Sequence, residues 1–257
     1  MADIHPTAIV DPKAKLAETV KVGPYSFIGP NVFIDEGTVI GANCVIDGNT
    51  RIGKNCRIFT GAVIGSIPQD LKFKGEETFL EIGDNNIIRE YVTINLGTKA
   101  TGKTIIGNNN LIMAYSHIAH DCVVGNGVII ANVGTLAGHV TIEDKAVIGG
   151  MVAIHQFVRV GTLSIIGGCS KVIQDIPPYS TCDGHPAKFY GLNVVGLKRA
   201  GIKLDVRNAL KTALKLIFLS GLSISHALEE IEKKLPAYPE IKHLIDFVRS
   251  SQRGICR

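Results

Sequence analysis

From Ile4 to Val172 an isoleucine, valine or leucine recurs at every sixth residue without a slip of phase. The series runs Ile4, Val10, Leu16, Val22 and on through Ile64, resumes at Ile82, Ile88 and Ile94, and runs again from Ile106 to Val172. Only Asp70, Glu76 and Ala100 break it. A period of six fits neither an α-helix, at about 3.6, nor a lone strand, at about 2. It fits a chain that turns a corner every six residues and points one aliphatic tooth inward each time. Three such sides make a triangular coil of about eighteen residues, the unit of a parallel β-helix of hexapeptide repeats. Neighbouring coils then stand about 4.8 Å apart, and the repeats are stable only as a stack.

Glycine follows many teeth, as in Ile28-Gly29, Ile106-Gly107 and Val124-Gly125, and reads as the residue that turns the chain with φ > 0. Two positions before the tooth the side chain is often small, as at Ser26, Ala62 and Ser116, which lets the coil close. The β-helix is expected over residues 1–190, with external loops near 66–80 and 97–103 where the teeth are missing. Loops that leave a regular scaffold commonly carry function. Pro177-Pro178 ends the series. Residues 191–257 read as an α-helical C-terminal domain, with helices over Asp205–Leu219, Ser225–Leu235 and Glu240–Arg249. Ser225 is the expected N-cap of the second, and Pro236 stops it.

Composition sharpens this. Among 257 residues there are 28 glycines, 6% aromatics and no tryptophan, so the core is aliphatic. No basic start followed by an apolar run marks a signal peptide, and no apolar stretch approaches the about 20 residues of a membrane span. A cytoplasmic protein is expected. Six cysteines include no CxxC pair, which points to free buried thiols rather than disulfides or a zinc site. The net charge of +4 is uneven. Residues 191–257 hold twelve Lys/Arg against six Asp/Glu, so the tail is basic while residues 1–190 are slightly acidic. Such a tail can steer an acidic partner; interleaved aromatics and a nucleic-acid module are missing, so nucleic acid is not expected.

Counting in eighteens brings chemistry to one edge. Gly138 falls one coil after His120 and Gln156 two coils after, with His139 and His155 each one residue away and His117 on the approach to the same corner. Neutral imidazole takes a proton near neutral pH, and Asp121 stands beside His120 in sequence. Gly138 offers an unhindered N–H to a developing oxyanion. No serine or cysteine sits in a nucleophile motif, so direct transfer is favoured over a covalent intermediate. His5, His226 and His243 read as structural. A zinc centre of the carbonic-anhydrase kind is the metal alternative, but its two ligands five residues apart differ from His117 and His120, which are three apart.

Several segments resemble the UDP-N-acetylglucosamine O-acyltransferase family over essentially the whole chain: IHPTAIV at the start, QDLKF (Gln69–Phe73), SHIAHDC (Ser116–Cys122), TLAGHV (Thr135–Val140), IGGMVAIHQF (Ile148–Phe157), GGCSKVIQDIPPY (Gly167–Tyr179) and GLNVVGLKRAG (Gly191–Gly201). The resemblance implies a left-handed β-helix, against the usual right-handed crossover, and a homotrimer with sites between subunits. It implies transfer of a 3-hydroxyacyl chain from acyl carrier protein to the 3-position of UDP-N-acetylglucosamine, the first step of lipid A biosynthesis, with no cofactor and no metal. By position, His120 matches the general base, Asp121 its partner and Gly138 the oxyanion donor. Asp70, Lys72, His117, His139, His155 and Gln156 match donor- and sugar-contacting positions, Asn193 and Arg199 the diphosphate surroundings, and Gly168 the position that sets acyl length. The basic helices would receive the acidic carrier protein. Val195, Ala200, Asn95-Leu96 and Pro186 depart from common family residues, which bears on acceptor and acyl length. Three alternatives stand beside this reading: N-acylation of a 3-amino UDP-sugar analogue, a non-catalytic sugar-nucleotide-binding β-helix, and the pathway's later N-acyltransferase, which carries an extra domain ahead of its hexads.

Overall fold

The computed structural model describes residues 2–257. Each hexad forms a short strand, two residues long in most coils, and successive strands pass to three different sheets of eleven, nine and eight strands. The result is a left-handed parallel β-helix, triangular in section, followed by helices. We number its faces by their first strands: Asp3–Ile4, Ile9–Val10 and Lys15–Leu16.

The teeth stack in register along the axis. On the first face Ile58 lies over Ile88, then Ile112, Ile130, Ile148 and Ile166. All six are at most 2% exposed, and burial of each aliphatic contributes about 1.5–3 kcal/mol. Among the described residues none stacks beneath the first coil, and Ile4 there is 41% exposed. Between Val63–Ser66 and Phe79–Ile82, and again between Thr93–Asn95 and Lys103–Ile106, the chain leaves the coil. Pairing jumps thirty residues across the first excursion, Arg57 to Ile87, and twenty-four across the second, Thr93 to His117. Both excesses over eighteen are multiples of six, which is why the phase survives.

One expectation is corrected. Apart from Gly65, at φ 81°, the glycines that follow the teeth do not turn the chain. Positive φ falls instead at the third residue after the tooth, as at Asn43, Asn55, Asn109, Asp121 and His139. The post-tooth glycines are required by close approach: a Cβ on Gly107 would lie 2.6 Å from the Gly125 carbonyl oxygen of the next coil. Where the small residue before the tooth is a serine it can tie one coil to the next, as the Ser26 hydroxyl does by donating to Gly41 O and accepting from Cys44 N.

After Lys171–Val172 the chain adds a strand, Ser180–Gly184, parallel to Ile165–Ile166, and folds back antiparallel as Ala187–Leu192. The hexad count carried no sign of this hairpin. Helices α1 (Val194–Arg199), α2 (Leu204–Leu219), α3 (Ile224–Lys234) and α4 (Pro239–Arg249) follow. The N-cap of α3 is Ser223, whose side chain accepts from His226 N, and not Ser225, which lies inside the helix. The helices pack on one another and on Leu163 and Tyr179 of the coil. Among the described residues no helix is long and apolar enough to cross a membrane. Five cysteines are buried thiols; Cys169 is exposed because it occupies the outward corner position, with φ 61°.

Candidate functional site

The corner between the second and third faces gathers His117, His120, Asp121 and His139. His117 lies on the second-face strand His117–Ile118, stacked on Thr93, and its Nδ1 is 2.7 Å from the Thr93 hydroxyl. Burial, and then the nearby His120, push its pKa down. Three residues on, His120 and Asp121 form the turn. His120 Nδ1 is 2.7 Å from Asp121 Oδ2, and both residues are buried.

Asp121 is held from all sides. Its own N–H donates to the Thr104 hydroxyl at 2.9 Å. Thr98 N–H donates to Oδ1 at 2.8 Å, the Thr98 hydroxyl to Oδ2 at 2.6 Å, and the Thr101 hydroxyl to Oδ1. Burial alone pushes this carboxyl up; the hydrogen bonds from Thr101, Thr98 and His120 outweigh it and hold the pKa at about 2. An ionised carboxylate only accepts, so the His120 proton sits on Nδ1 and Nε2 keeps its lone pair.

The expected single strip of histidines divides into columns. Gly138 and Gln156 follow His120 along the axis, whereas His139 and Phe157 follow Asp121. His139 N–H donates to His120 O, and Phe157 N–H donates to Gly138 O. The His139 ring stacks on Phe157 with centroids 4.5 Å apart, meets His120 edge-on, and puts Nε2 3.5 Å from Asp121 Oδ2. Burial pushes the His139 pKa down against the pull of Asp121. A Cβ on Gly138 would stand 2.5 Å from His120 Cε1, so only glycine leaves room for that ring. The N–H groups of Ala137 and His139 are bonded, but among the described residues none accepts from Gly138 N–H. His155 and Gln156 are exposed, and the His155 ring reaches only Gln156 O, at 3.2 Å.

Beside this corner opens a cleft of about 280 Å³ lined by Asp70, Lys72, Phe73, Glu76, Thr98, Lys99, Ala100 and His139. All three residues that break the hexad series are in its wall. In the first excursion Lys72 N–H donates to Asp70 Oδ1 at 3.0 Å. The other candidates lie on other edges. Asn193 is buried, donates to Leu163 O at 2.9 Å and caps α1 through Gly196 N, which ties it to the edge between the third and first faces. Arg199 ends α1 and is exposed. Gly168 follows Ile165–Ile166 on the remaining edge, 3.3 Å, by its notional Cβ, from Gly150 O. Sequence reasoning missed Thr98, Thr101 and Thr104, the residues that fix Asp121.

His120, Asp121 and His139 are the one group of three metal-ligating side chains among the described residues whose ligand atoms lie within 4.8 Å of one another. Two ligands of one tetrahedral zinc stand about 3.3 Å apart, given zinc–nitrogen bonds near 2.0–2.1 Å. The His120–Asp121 separation is hydrogen-bonding distance, and both carboxylate oxygens already accept from the loop. The group has the spacing of a hydrogen-bonded network and not that of a zinc site.

Residues 175–256 match the family model for domain 2 of UDP N-acetylglucosamine O-acyltransferase, and residues 103–134 match the bacterial transferase hexapeptide model. The chain is 53% identical over 258 residues to the acyl-[acyl-carrier-protein]--UDP-N-acetylglucosamine O-acyltransferase of Thermodesulfovibrio yellowstonii, covering 100% of both. It is 50% identical to that of Thiobacillus denitrificans, again over 100% of both. Among solved structures it is similar to a UDP-N-acetylglucosamine acyltransferase from Bacteroides fragilis, with TM-score 0.97 and 47% identity over 98% of this chain and 99% of that one.

Proposed function

Since the chain belongs to the UDP-N-acetylglucosamine O-acyltransferase family and is an acyltransferase, we propose that it moves a 3-hydroxyacyl group from acyl carrier protein to the 3-hydroxyl of UDP-N-acetylglucosamine by direct general-base catalysis. The observation that carries the mechanism is the 2.7 Å contact between His120 Nδ1 and Asp121 Oδ2, which leaves Nε2 free to act as base. Nε2 takes the hydroxyl proton as the oxygen attacks the thioester carbonyl. A carbon–oxygen bond forms, and the negative charge gathers on the carbonyl oxygen, where Gly138 N–H donates to it. Collapse breaks the carbon–sulfur bond, and the proton on Nε2 passes to the departing thiolate. Asp121 remains ionised and balances the transient imidazolium.

The cleft of Asp70, Lys72 and His139 would take the glucosamine side of the acceptor. Asn193, Arg199 and Gly168 lie on the other two edges of the prism, so a single chain cannot close all of them on one substrate. A homotrimer, in which an edge of one copy faces a different edge of its neighbour, brings the subsets together. The arginine fork suits the diphosphate, and the basic residues of 191–257 suit the acidic carrier protein.

Replacement of His120 by alanine tests the reading. It should reduce transfer from 3-hydroxyacyl carrier protein to UDP-N-acetylglucosamine by at least about 10³-fold, with an unchanged elution volume on size exclusion. Turnover near that of the wild type would end the assignment.

A further inference from the structure

We propose that the inserted loop of residues 97–102 is a positioning device that assigns the Asp121 carboxylate to His120 and withholds it from His139, with Thr98 and Thr101 as its working residues. This rests on the reading of His120 as the base. Asp121 stands between two imidazoles: Oδ2 is 2.7 Å from His120 Nδ1 and 3.5 Å from His139 Nε2. Nothing in the coil itself decides between them. The backbone of Asp121 is pinned by Thr104, but its side chain remains free to turn about its own bonds.

The loop removes that freedom. Thr98 N–H and the Thr101 hydroxyl donate to Oδ1, while the Thr98 hydroxyl donates to Oδ2. With three donors on the loop side, the carboxylate presents Oδ2 to His120 in one orientation. A neutral imidazole carries one proton, and the acceptor at Nδ1 keeps it there. Were the carboxylate to swing onto His139, the His120 proton could move to Nε2, where it blocks the lone pair that the acceptor hydroxyl needs. The loop is also surplus to the solenoid. Register passes from Thr93 to His117 across twenty-four residues where eighteen suffice, and the extra hexad supplies both threonines. A buried aspartate that merely had to be satisfied would need donors, but not donors that choose between two histidines.

A double-mutant cycle in the full chain tests this, with steady-state kinetics using a 3-hydroxyacyl carrier protein and UDP-N-acetylglucosamine. Thr101 sits on an exposed turn, so Thr101→Val keeps the fold; Thr98→Val is the second variant, taken through the same cycle. Thr101→Val should lower kcat by about 10-fold or more with KM for both substrates within about 2-fold, and Thr101→Ser should restore it to within about 3-fold. In an Asp121→Asn background Thr101→Val should cost less than about 2-fold, because its effect passes through that carboxylate. An equal loss in both backgrounds overturns the inference, as does an unchanged kcat in Thr101→Val and Thr98→Val while Asp121→Asn is impaired. That second outcome leaves the base assignment standing. If His120→Ala and Asp121→Asn both turn over normally, the base reading itself fails, and the positioning role falls with it.

Discussion

At the scale of single residues, Gly138 shows how closely the site is packed. Its missing side chain makes the space into which the His120 ring fits, since a Cβ would come within 2.6 Å of two of its atoms, Cε1 and Nε2. Its N–H is the unbonded one of three successive amides. Gly138→Ala therefore displaces the His120 ring and leaves the coil backbone in place, because the turn position it holds is not a positive-φ one. We expect kcat to fall about 100-fold with a melting temperature within a few degrees of the wild type; retained kcat would contradict the packing argument. The count by eighteens had already placed Gly138 over His120. It could not show that the corner holds two columns, nor that the His155 ring is exposed and bonds to Gln156 O rather than to the other histidines. Nor did it find Thr98, because the loop before it adds a hexad. Counting twenty-four back from Asp121 reaches Gly97, one residue short of Thr98, so the signal was present once the insertion was allowed for.

At the scale of elements, the solenoid was legible because one physical demand, an aliphatic tooth inside every side of the coil, repeats without exception outside the excursions. What the pattern did not reveal was why glycine follows the tooth. The glycine marks contact between coils, and two substitutions separate that role from turning. Gly107→Ala drives a methyl group against Gly125 O at 2.6 Å and Asn126 Oδ1 at 2.7 Å. The first belongs to a ladder residue whose own N–H is bonded to Ile142 O, so it cannot retreat cheaply, and the cost should be about 1–3 kcal/mol. Gly102, at φ 79°, has nothing within 4 Å of a notional Cβ; Gly102→Ala meets only the left-handed backbone and should cost about 1 kcal/mol. Urea titrations of both variants measure this, and a Gly107→Ala loss no larger than that of Gly102→Ala would count against close approach. Helices α2, α3 and α4 were read to within a residue, since their apolar spacing is strong, whereas the six residues of α1 are too short to show a period. The cap of α3 was misplaced because Ser223 and Ser225 flank the same first turn, and only the backbone shows which serine lies outside the helix. The hairpin of 180–192 pairs antiparallel and has no hexad, so no tooth announced it.

At the scale of the whole molecule, the β-helix and the C-terminal helices are joined by an apolar cluster and by polar contacts, among them a network around Glu143. Glu143, just after a third-face tooth, accepts from Thr162 N–H at 2.8 Å and from His243 Nε2 on α4 at 3.0 Å, while Arg159 approaches its other oxygen. The other nitrogen of His243 meets the Tyr179 hydroxyl at 2.9 Å. Burial, then the charges of Glu240 and Glu143, raise the Tyr179 pKa, so its hydroxyl stays protonated and donates to that nitrogen. His243 is thus satisfied on both sides while neutral, in keeping with a structural role. Burial raises the Glu143 pKa, but the His243 and Thr162 hydrogen bonds lower it further, to a net position below the ordinary value of 4.5. A carboxyl whose folded pKa is depressed stabilises the fold at every pH above its unfolded pKa. That contribution is lost as pH falls through the folded pKa. Glu143→Gln removes the charge at every pH, so its melting temperature should lie a few degrees below the wild type at about pH 7. The gap should narrow as pH falls below the ordinary carboxylate value of 4.5 and the wild-type carboxyl protonates. Melting followed at 222 nm, which reports the helices, reads the gap directly. A gap that does not narrow as the solution is acidified would mean that packing of the Glu143 side chain, and not its charge, joins the coil to the helices.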